Sequence, residues 1–281
     1  MHPIILKLLF SIQGIGAASG LIHHNGKLHI ISDNSNYLYS YAISQAHLDK
    51  QLLLDRAVNE AVPKKQKADF ESITSFGGAT YLFGSGSLDS RNTAIRLQLA
   101  STKVDSLNMA PIYQRLQKKY GVAAADFNIE GAVAVKKQLW LFNRGNGPKA
   151  VNGIYKLLQN GFKPVSFTRI ALPKLNGVQL GFTDAVKVGR YIYFTAAAEG
   201  TSSSYDDGQI QGTVLGRMRI KTMKIDYLKK ISKTQKFEGI TLLKDSKDAI
   251  SFLLCEDPDN GQQVSDISSL RILKKNRQLA P

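Results

Sequence analysis

The sequence predicts an all-β fold, a closed β-propeller of five four-stranded blades. The first observation is a short phrase that recurs five times: an apolar or small residue, a polar and usually acidic one, a small one and an apolar one. Its second position falls at residues 19, 71, 130, 183 and 238, so successive repeats are 52 to 59 residues long. Periods near 50 residues with several strands each are typical of propeller blades. We therefore expect residues 1–281 to form a single propeller domain.

The second observation is the series of β-rich runs behind each phrase. A turn such as Asn25-Gly26 or Gly77-Gly78 separates the phrase from a second apolar run, which is a hairpin signal. Third strands are predicted at residues 37–41, 93–97, 153–157, 214–218 and 269–272. More polar fourth strands are predicted at residues 51–55, 165–170 and 223–228, where alternation indicates one solvated face.

The third observation concerns the ends of the repeats. The last repeat stops after its third strand, and the apolar run at residues 4–12 can supply the missing fourth. This pairing would close the ring and remove two exposed sheet edges. Residues 16–19 resemble a signal-peptidase site, but no Lys or Arg precedes the apolar stretch and Lys7 interrupts it. We expect the segment to be retained and the protein to be cytoplasmic.

One helical insertion is predicted near residues 109–120, in the second repeat. Ile112, Leu116 and Tyr120 recur at helical spacing and Gly121 follows them. The insertion accounts for the longest interval between phrases, 59 residues.

Composition restricts the partners. The net charge of +15 attracts anions, although it also serves solubility. The basic residues are dispersed over turns without interleaved aromatics, so nucleic acid is not an expected partner. No apolar run reaches the length of a membrane span, and the single Cys255 excludes an intramolecular disulfide. We expect a monomer that binds a small polar or anionic ligand.

A ring of polar side chains is predicted at one mouth of the central channel. The phrase places Ser19, Glu71, Glu130, Thr183 and Glu238 at equivalent positions of the innermost strands, and Asp184 comes one residue later. Carboxylates that converge in this way need a cation, water or raised pKa values. Glu71, Glu130, Asp184 and Glu238 are therefore candidate ligands for Ca²⁺ or Mg²⁺. In the alternative interpretation these acids bond the backbone and tie neighbouring blades together.

A second ring is predicted from the loops that follow the second strand of each blade. They span residues 32–36, 84–91, 143–152, 199–207 and 256–260. Gly, Asn and Asp are what turns require, but these loops also carry charged side chains that turns do not need. The candidate ligand-binding residues here are Asp33, Arg91, Asn143, Arg144, Glu199 and Glu256.

Three phrases carry a family resemblance. Glu-Gly-Ile at 238–240, Thr-Asp-Ala at 183–185, and Gly-Ser-Gly-Ser at 84–87 followed by Arg91 resemble an uncharacterised family of bacterial five-bladed propellers. The chain is more distantly similar to phytase-esterase-like propellers. The resemblance implies the propeller fold and a polar central funnel, and it implies no activity. The basic composition and the lack of dense Asp clusters depart from metal-rich propeller phytases.

Two functional hypotheses follow. The first is a binding propeller that holds a small polar or anionic ligand on the loop face, around the funnel. The alternative is a divalent-metal-dependent hydrolase of an ester, lactone or phosphoester that uses the funnel carboxylates. The sequence contains no phosphate-binding loop, no dinucleotide fingerprint and no nucleophile elbow.

Overall fold

The strands form five small antiparallel sheets, arranged as the blades of a ring. The computed structural model describes residues 3–200, 208–258 and 260–274, and the five sheets lie within these ranges. The innermost strand of each blade contacts the innermost strand of the next, and the last contacts the first. The predicted five-bladed propeller is therefore confirmed. Residues 201–207 and 259, which belong to two of the predicted recognition loops, lie outside the described residues.

Each blade takes its strands in chain order. The N-terminal strand is Ile4–Gln13 (β1). The first blade contains Ala18–His24 (β2), Lys27–Ser32 (β3), Tyr37–Ala42 (β4) and His47–Leu52 (β5). The second contains Phe70–Phe76 (β6), Ala79–Gly84 (β7), Thr93–Leu97 (β8) and Val104–Asn108 (β9). The third contains Ile129–Val135 (β10), Gln138–Asn143 (β11), Gly153–Leu158 (β12) and Pro164–Arg169 (β13). The fourth adds the short strand Lys174–Leu175 (β14) to Val178–Val188 (β15), Tyr191–Glu199 (β16), Ile210–Arg219 (β17) and Ile225–Ser232 (β18). The fifth contains Phe237–Asp245 (β19), Ala249–Glu256 (β20) and Val264–Leu273 (β21).

Strand β1 closes the ring as predicted. It pairs antiparallel with β21 from Ile4 opposite Ile272 to Gln13 opposite Val264. The fifth blade thus takes its outer strand from the other end of the chain. This pairing covers the edge of β21 that would otherwise be exposed.

The outer strand of the first blade lies earlier in the sequence than residues 51–55. Strand β5 begins directly after a turn at Ala46 (φ 50°) and pairs Ala42 with His47 and Tyr37 with Leu52. The ladder ends at Leu52, and one further hydrogen bond, from Leu53 N–H to the carbonyl of Asn36 at 2.8 Å, follows it. The apolar triplet 52–54 suggested a strand, whereas the actual strand is largely polar because one face is solvated.

The hydrophobic core is divided among the blade interfaces. The buried apolar residues of the described chain form five clusters, and each cluster joins two neighbouring blades. The cluster between the fifth and first blades, for example, combines Leu21 and Tyr39 with Leu253 and Ile267. A closed ring of five blades has five such interfaces, so no blade lacks a packed neighbour on either side.

Turn chemistry and one helix complete the architecture. Asn25-Gly26 and Gly77-Gly78 have positive φ at both residues, as the two-residue turns of tight hairpins require. The predicted insertion is the helix α1 (Ala110–Tyr120), which ends at Gly121 in the left-handed conformation. Among the described residues, no helix has the length and apolar character needed to cross a bilayer.

Candidate functional site

A β-bulge marks the same position in all five innermost strands. Near its start, each ladder between the first and second strand of a blade skips one residue. The residues skipped at this shared position are the polar positions of the recurring phrase: Ser19, Glu71, Glu130, Thr183 and Glu238. A bulge redirects a side chain and ends its pairing. The repeat therefore encodes a ring of side chains released from the sheet at one end of the channel.

A cavity of about 320 Å³ lies at this mouth of the channel. Of the described residues, seven acidic and five basic side chains line it: Asp33, Asp69, Glu71, Glu130, Glu199, Glu238 and Asp257, with Lys64, Lys67, Arg91, Arg144 and Lys236. Amides of Asn34, Asn128, Asn146 and Gln263 contribute as well. The described lining contains no aromatic side chain, so the cavity is a charged and hydrogen-bonding site rather than an apolar one.

Arg144 organises one side of the cavity. Its guanidinium donates to Glu130 Oε1 at 3.3 Å and to Glu199 Oε2, and it lies 3.9 Å from Glu238 Oε1. Lys236 Nζ lies 2.9 Å from the same Glu238 oxygen. These carboxylates come from the third, fourth and fifth blades, so Arg144 connects three blades through charge. Burial opposes the charged guanidinium, but the surrounding carboxylates raise the pKa of Arg144 overall.

A second ionic cluster lies between the first and second blades. Lys67 Nζ bonds Asp33 Oδ2 and lies 2.8 Å from Asp69 Oδ1, while Arg91 Nη1 donates to Asp69 Oδ2 at 2.8 Å. Burial disfavours the Lys67 ammonium, but the carboxylates of Asp69 and Asp33 raise its pKa. Burial also raises the pKa of Asp33, and Lys67 opposes that effect.

Glu71 differs from the other carboxyl groups of the cavity. It is 8% exposed and makes no hydrogen bond or ion pair with any described residue. Burial raises its pKa well above the ordinary value, and the charges of Glu130 and Asp69 raise it further. An unpaired carboxyl group of this kind is held as the neutral acid over a wider pH range, in which it can donate as well as accept a hydrogen bond.

Three buried acceptor oxygens around the cavity have no hydrogen-bond partner in the described chain. They are Asp33 Oδ1, Asn128 Oδ1 and Glu130 Oε2. Buried acceptors are normally satisfied, and an exception requires an explanation such as water or a bound group. These oxygens and Glu71 all belong to the lining of one cavity. A molecule bound in this cavity could therefore donate hydrogen bonds to these three oxygens and to Glu71.

The remaining ring residues connect blades. Ser19 Oγ donates to the carbonyl of Phe70 at 2.5 Å, and Thr183 Oγ1 donates to the carbonyl of Phe237 at 2.7 Å. Asp184 is fully engaged, since Oδ1 accepts from Ala185 N–H at 2.7 Å and Oδ2 from Ile240 N–H at 2.9 Å. At these positions the geometry matches the alternative interpretation, in which polar side chains tie one blade to the next.

The structure brings seven of the eleven predicted site residues together. Asp33, Glu71, Arg91, Glu130, Arg144, Glu199 and Glu238 line the cavity, whereas Ser19, Asn143, Asp184 and Glu256 do not. The Asn143 amide donates to the carbonyls of Asp126 and Val151 at 2.8 and 2.7 Å, which fixes the adjoining loops. Glu256 accepts from Gln235 Nε2 at 2.7 Å outside the cavity.

Sequence reasoning missed Lys67, Asp69, Asn128 and Lys236. Three of them share a signal, because Asp69, Asn128 and Lys236 each lie two residues before a bulge residue. In an extended chain this spacing places side chains on one face, so the same repeat that identifies the bulges also identifies these positions. Lys67 carries no such signal, because the backbone at Asp69 is left-handed (φ 56°) and not extended.

The closest acidic group in the described chain differs from the predicted metal set. One oxygen each of Asp33, Asp69 and Glu71 lies within 4.8 Å of the others. Of the predicted ligands, Glu130 and Glu238 contact the basic side chains of Arg144 and Lys236, and Asp184 bonds the backbone. The proposed quartet of Glu71, Glu130, Asp184 and Glu238 stays a prediction.

Fold and site together define the class: a five-bladed β-propeller with a charged central cavity. The chain belongs to DUF6929, a family of unknown function, whose model matches residues 14–272. This confirms the predicted membership of an uncharacterised propeller family. The comparison with curated proteins gives no match.

Solved structures with the same fold come from proteins of different activities. The glutaminyl cyclase of Myxococcus xanthus is 10% identical with a TM-score of 0.58, covering 96% of this chain and 98% of that one. The Malassezia sympodialis allergen Mala s 1 is 11% identical with a TM-score of 0.56, covering 96% and 97%. The PQQ-bound aldose sugar dehydrogenase of Streptomyces coelicolor is 9% identical with a TM-score of 0.55, covering 96% and 98%. At these identities the similarity shows the fold alone.

Proposed function

We propose that this protein binds a small, donor-rich polar molecule in the central cavity, with Glu71 as the principal contact. The observation that carries the proposal is the unpaired Glu71 carboxyl group beside three acceptor oxygens without partners. Every one of these groups gains a partner from a ligand that brings hydroxyl or ammonium groups. A buried polar group left unsatisfied costs about 1–3 kcal/mol, so a ligand that bonds these groups gains affinity from them.

The charge of the lining favours neutral or cationic ligands over anionic ones. The carboxylates outnumber the basic side chains in the cavity, although the whole chain carries a charge of +15. Arg144 and Lys236 already contact Glu130, Glu199 and Glu238. An anion would have to displace these contacts, whereas a polyol or amine would add to the network. Of the polar and anionic ligands predicted from sequence, the polar class fits this geometry better.

The size and chemistry of the cavity narrow the class further. Its volume of about 320 Å³ lies at the small end of the range of about 300–1,000 Å³ for ligand pockets. The polar lining suits a polyhydroxylated compound or a small amine better than a lipid or an aromatic molecule. Glu71 serves either ligand: as the neutral acid it exchanges hydrogen bonds with hydroxyl groups, and as the carboxylate it pairs with an ammonium group.

The test is a thermal-shift and calorimetry screen of the full chain against sugars, sugar alcohols, amines and phosphorylated compounds. Glu71→Ala should weaken binding of any cavity ligand by about 10–100-fold, because it loses a hydrogen bond to a buried group. Glu71→Gln should spare neutral polyols and weaken amines. Glu60→Gln is the matched control, since Glu60 bonds Lys50 and Tyr39 away from the cavity.

Three results would count against the proposal. A hit that binds Glu71→Ala as tightly as the wild type would place the ligand elsewhere. Equal losses in Glu60→Gln would indicate a general effect on the fold. A screen in which only phosphorylated compounds bind would favour an anion site around Lys64 and Arg91 instead.

A divalent-metal-dependent hydrolase is the second candidate, and the proximity of Asp33, Asp69 and Glu71 favours it. Carboxylate oxygens are the ligands that Ca²⁺ and Mg²⁺ prefer. Lys67 contacts two of the three carboxylates, so a cation would have to displace its ammonium group. Elemental analysis of the purified protein, with titration of Ca²⁺ or Mg²⁺ into wild type and Glu71→Ala, tests this. Binding of less than one ion per chain at millimolar metal would remove this candidate.

A further inference from the structure

The face of the ring opposite the cavity is built from hairpin turns. Because strands alternate in direction within each blade, the turn after the first strand and the turn after the third lie on the same face. The cavity lies at the start of the first strands and therefore on the other face. We call the turn side the basal face. It comprises residues 24–27, 42–47, 76–79, 97–104, 135–138, 158–164, 188–191, 219–225, 245–249 and 273–274.

The basal face is strongly cationic. Its turns carry eleven lysines and arginines: Lys27, Lys103, Lys136, Lys137, Lys163, Arg190, Arg219, Lys221, Lys224, Lys247 and Lys274. They carry two acidic residues, Asp245 and Asp248. A large share of the net charge of the chain is thus concentrated on one side of the ring.

Most of these charges are exposed and without an acidic partner. All eleven except Lys274 are exposed. Within the described chain, ion pairs are made by Lys27 with Asp49 at 3.7 Å, Arg219 with Asp226 at 2.9 Å and Lys274 with Asp245 at 2.6 Å. The other eight form no ion pair with a described residue. Their charge is therefore available to an external partner.

Apolar side chains accompany the basic ones on this face. Leu158 ends β12 in a basal turn and is 41% exposed, and Val165, the second residue of β13, is 43% exposed. Leu243, near the end of β19, is 38% exposed. The channel mouth on this side is lined by residues such as Leu21, His23 and Lys187, and none of its described lining residues is acidic.

We propose that the basal face docks on an anionic membrane surface and thereby presents the cavity to the surrounding solution. Nine of the eleven basic residues are lysines, spread over several turns rather than lining a groove. Lysine acts as a point charge, whereas recognition of individual phosphates in nucleic acid favours the forked guanidinium of arginine. Dispersed lysines with exposed leucine and valine side chains suit lipid headgroups and the adjoining acyl region.

The experiment is co-sedimentation of the full chain with vesicles of phosphatidylcholine, with or without phosphatidylserine. Wild type should bind the mixed vesicles at 0.1 M salt, bind neutral vesicles poorly, and dissociate as salt rises. The variant Lys137→Glu/Lys221→Glu/Lys247→Glu changes one basal turn in each of the third, fourth and fifth blades. It should lower the partition constant by about 100-fold or more, given the contribution of each basic residue near such a surface.

The control variant changes the net charge equally on the opposite face. Lys65→Glu/Lys149→Glu/Lys233→Glu alters exposed loop residues and should bind nearly as well as wild type. Equal losses in both variants would overturn the proposal, because net charge alone would then explain binding. The proposal would also be overturned if wild type bound equally well at low and high salt, or equally well to neutral and anionic vesicles. Tight binding of a single-stranded oligonucleotide by wild type without binding of anionic vesicles would overturn it as well.

Discussion

Replacing Arg144 with methionine should destabilise the protein strongly, through one carboxylate in particular. Lys236 lies near Glu199 and Glu238 and still compensates them after the substitution. Glu130 loses its close cationic partner and keeps a hydrogen bond from Asn128 Nδ2 at 2.7 Å. The side chains of Arg144 and Glu130 are almost fully buried, at 6% and 3% exposure. Removing one partner of a buried ion pair costs about 3–5 kcal/mol, because it leaves an uncompensated charge.

This free energy converts into a measurable change in melting temperature. The entropy of unfolding for a chain of this length is about 0.6 kcal/mol/K, so the expected decrease in Tm is about 5–9 °C at pH 7. Calorimetry of the purified variant provides the measurement. Arg96→Met is the matched control, since Arg96 pairs with Asp105 at the surface, where ion pairs contribute little to stability.

A double variant and a change of pH test the cause. Arg144→Met/Glu130→Gln should recover most of the lost stability, because it also removes the uncompensated charge. Burial already raises the pKa of Glu130, and Arg144 opposes that effect, so its removal raises the pKa further. The difference between wild type and Arg144→Met should therefore shrink from pH 7 toward pH 5, as Glu130 becomes protonated. A double variant as unstable as the single one would refute the reasoning.

Three further predictions concern other parts of the molecule. Burial and nearby carboxylates raise the pKa of Glu71, so above its ordinary pKa the folded state binds more protons than the unfolded state and loses stability as pH rises. Glu71→Gln should thus raise Tm more at pH 8 than at pH 5. Glu60→Gln should not, since Lys50 lowers the pKa of Glu60, and an equal gain at both pH values would contradict the argument. Thr183→Val should lower the free energy of unfolding by about 1–3 kcal/mol, because Phe237 loses a buried hydrogen-bond donor; urea unfolding measures this, and an unchanged midpoint would exclude it. Deleting residues 1–13 should expose the edge of β21 and produce oligomers in size-exclusion chromatography, whereas a stable monomer would show that β1 is dispensable.

The blade architecture could be predicted because each blade repeats one local device. The phrase around Glu71 or Glu130 has a bulge with a polar residue at its centre, preceded by an apolar residue and followed by a small one. The sequence placed the outer strand of the first blade at residues 51–55, whereas β5 is His47–Leu52. Its solvated face carries His47, Asp49 and Gln51, so β5 gives a weaker strand signal than the apolar residues 52–54.

The partners within the cavity could not be predicted in the same way. Arg144 was expected to bind a ligand, but it is occupied by carboxylates from three blades. Asp184 was expected in the funnel, but two backbone N–H groups hold it. Both outcomes depend on distances between side chains of different blades. A repeat in one sequence specifies equivalent positions around the ring, but it does not specify which charges meet.

The pairing of β1 with β21 has a consequence for how the ring assembles. Ile4 lies opposite Ile272, so the contact joins residues separated by almost the whole described chain. Contacts of such separation form late, since the entropy of closing a long loop must be overcome first. During synthesis β1 leaves the ribosome before β21 has been made, so this apolar strand stays unpaired until β21 emerges. Completion of the fifth blade is therefore expected only after β21 has been synthesised, and aggregation competes most strongly while β1 is still unpaired.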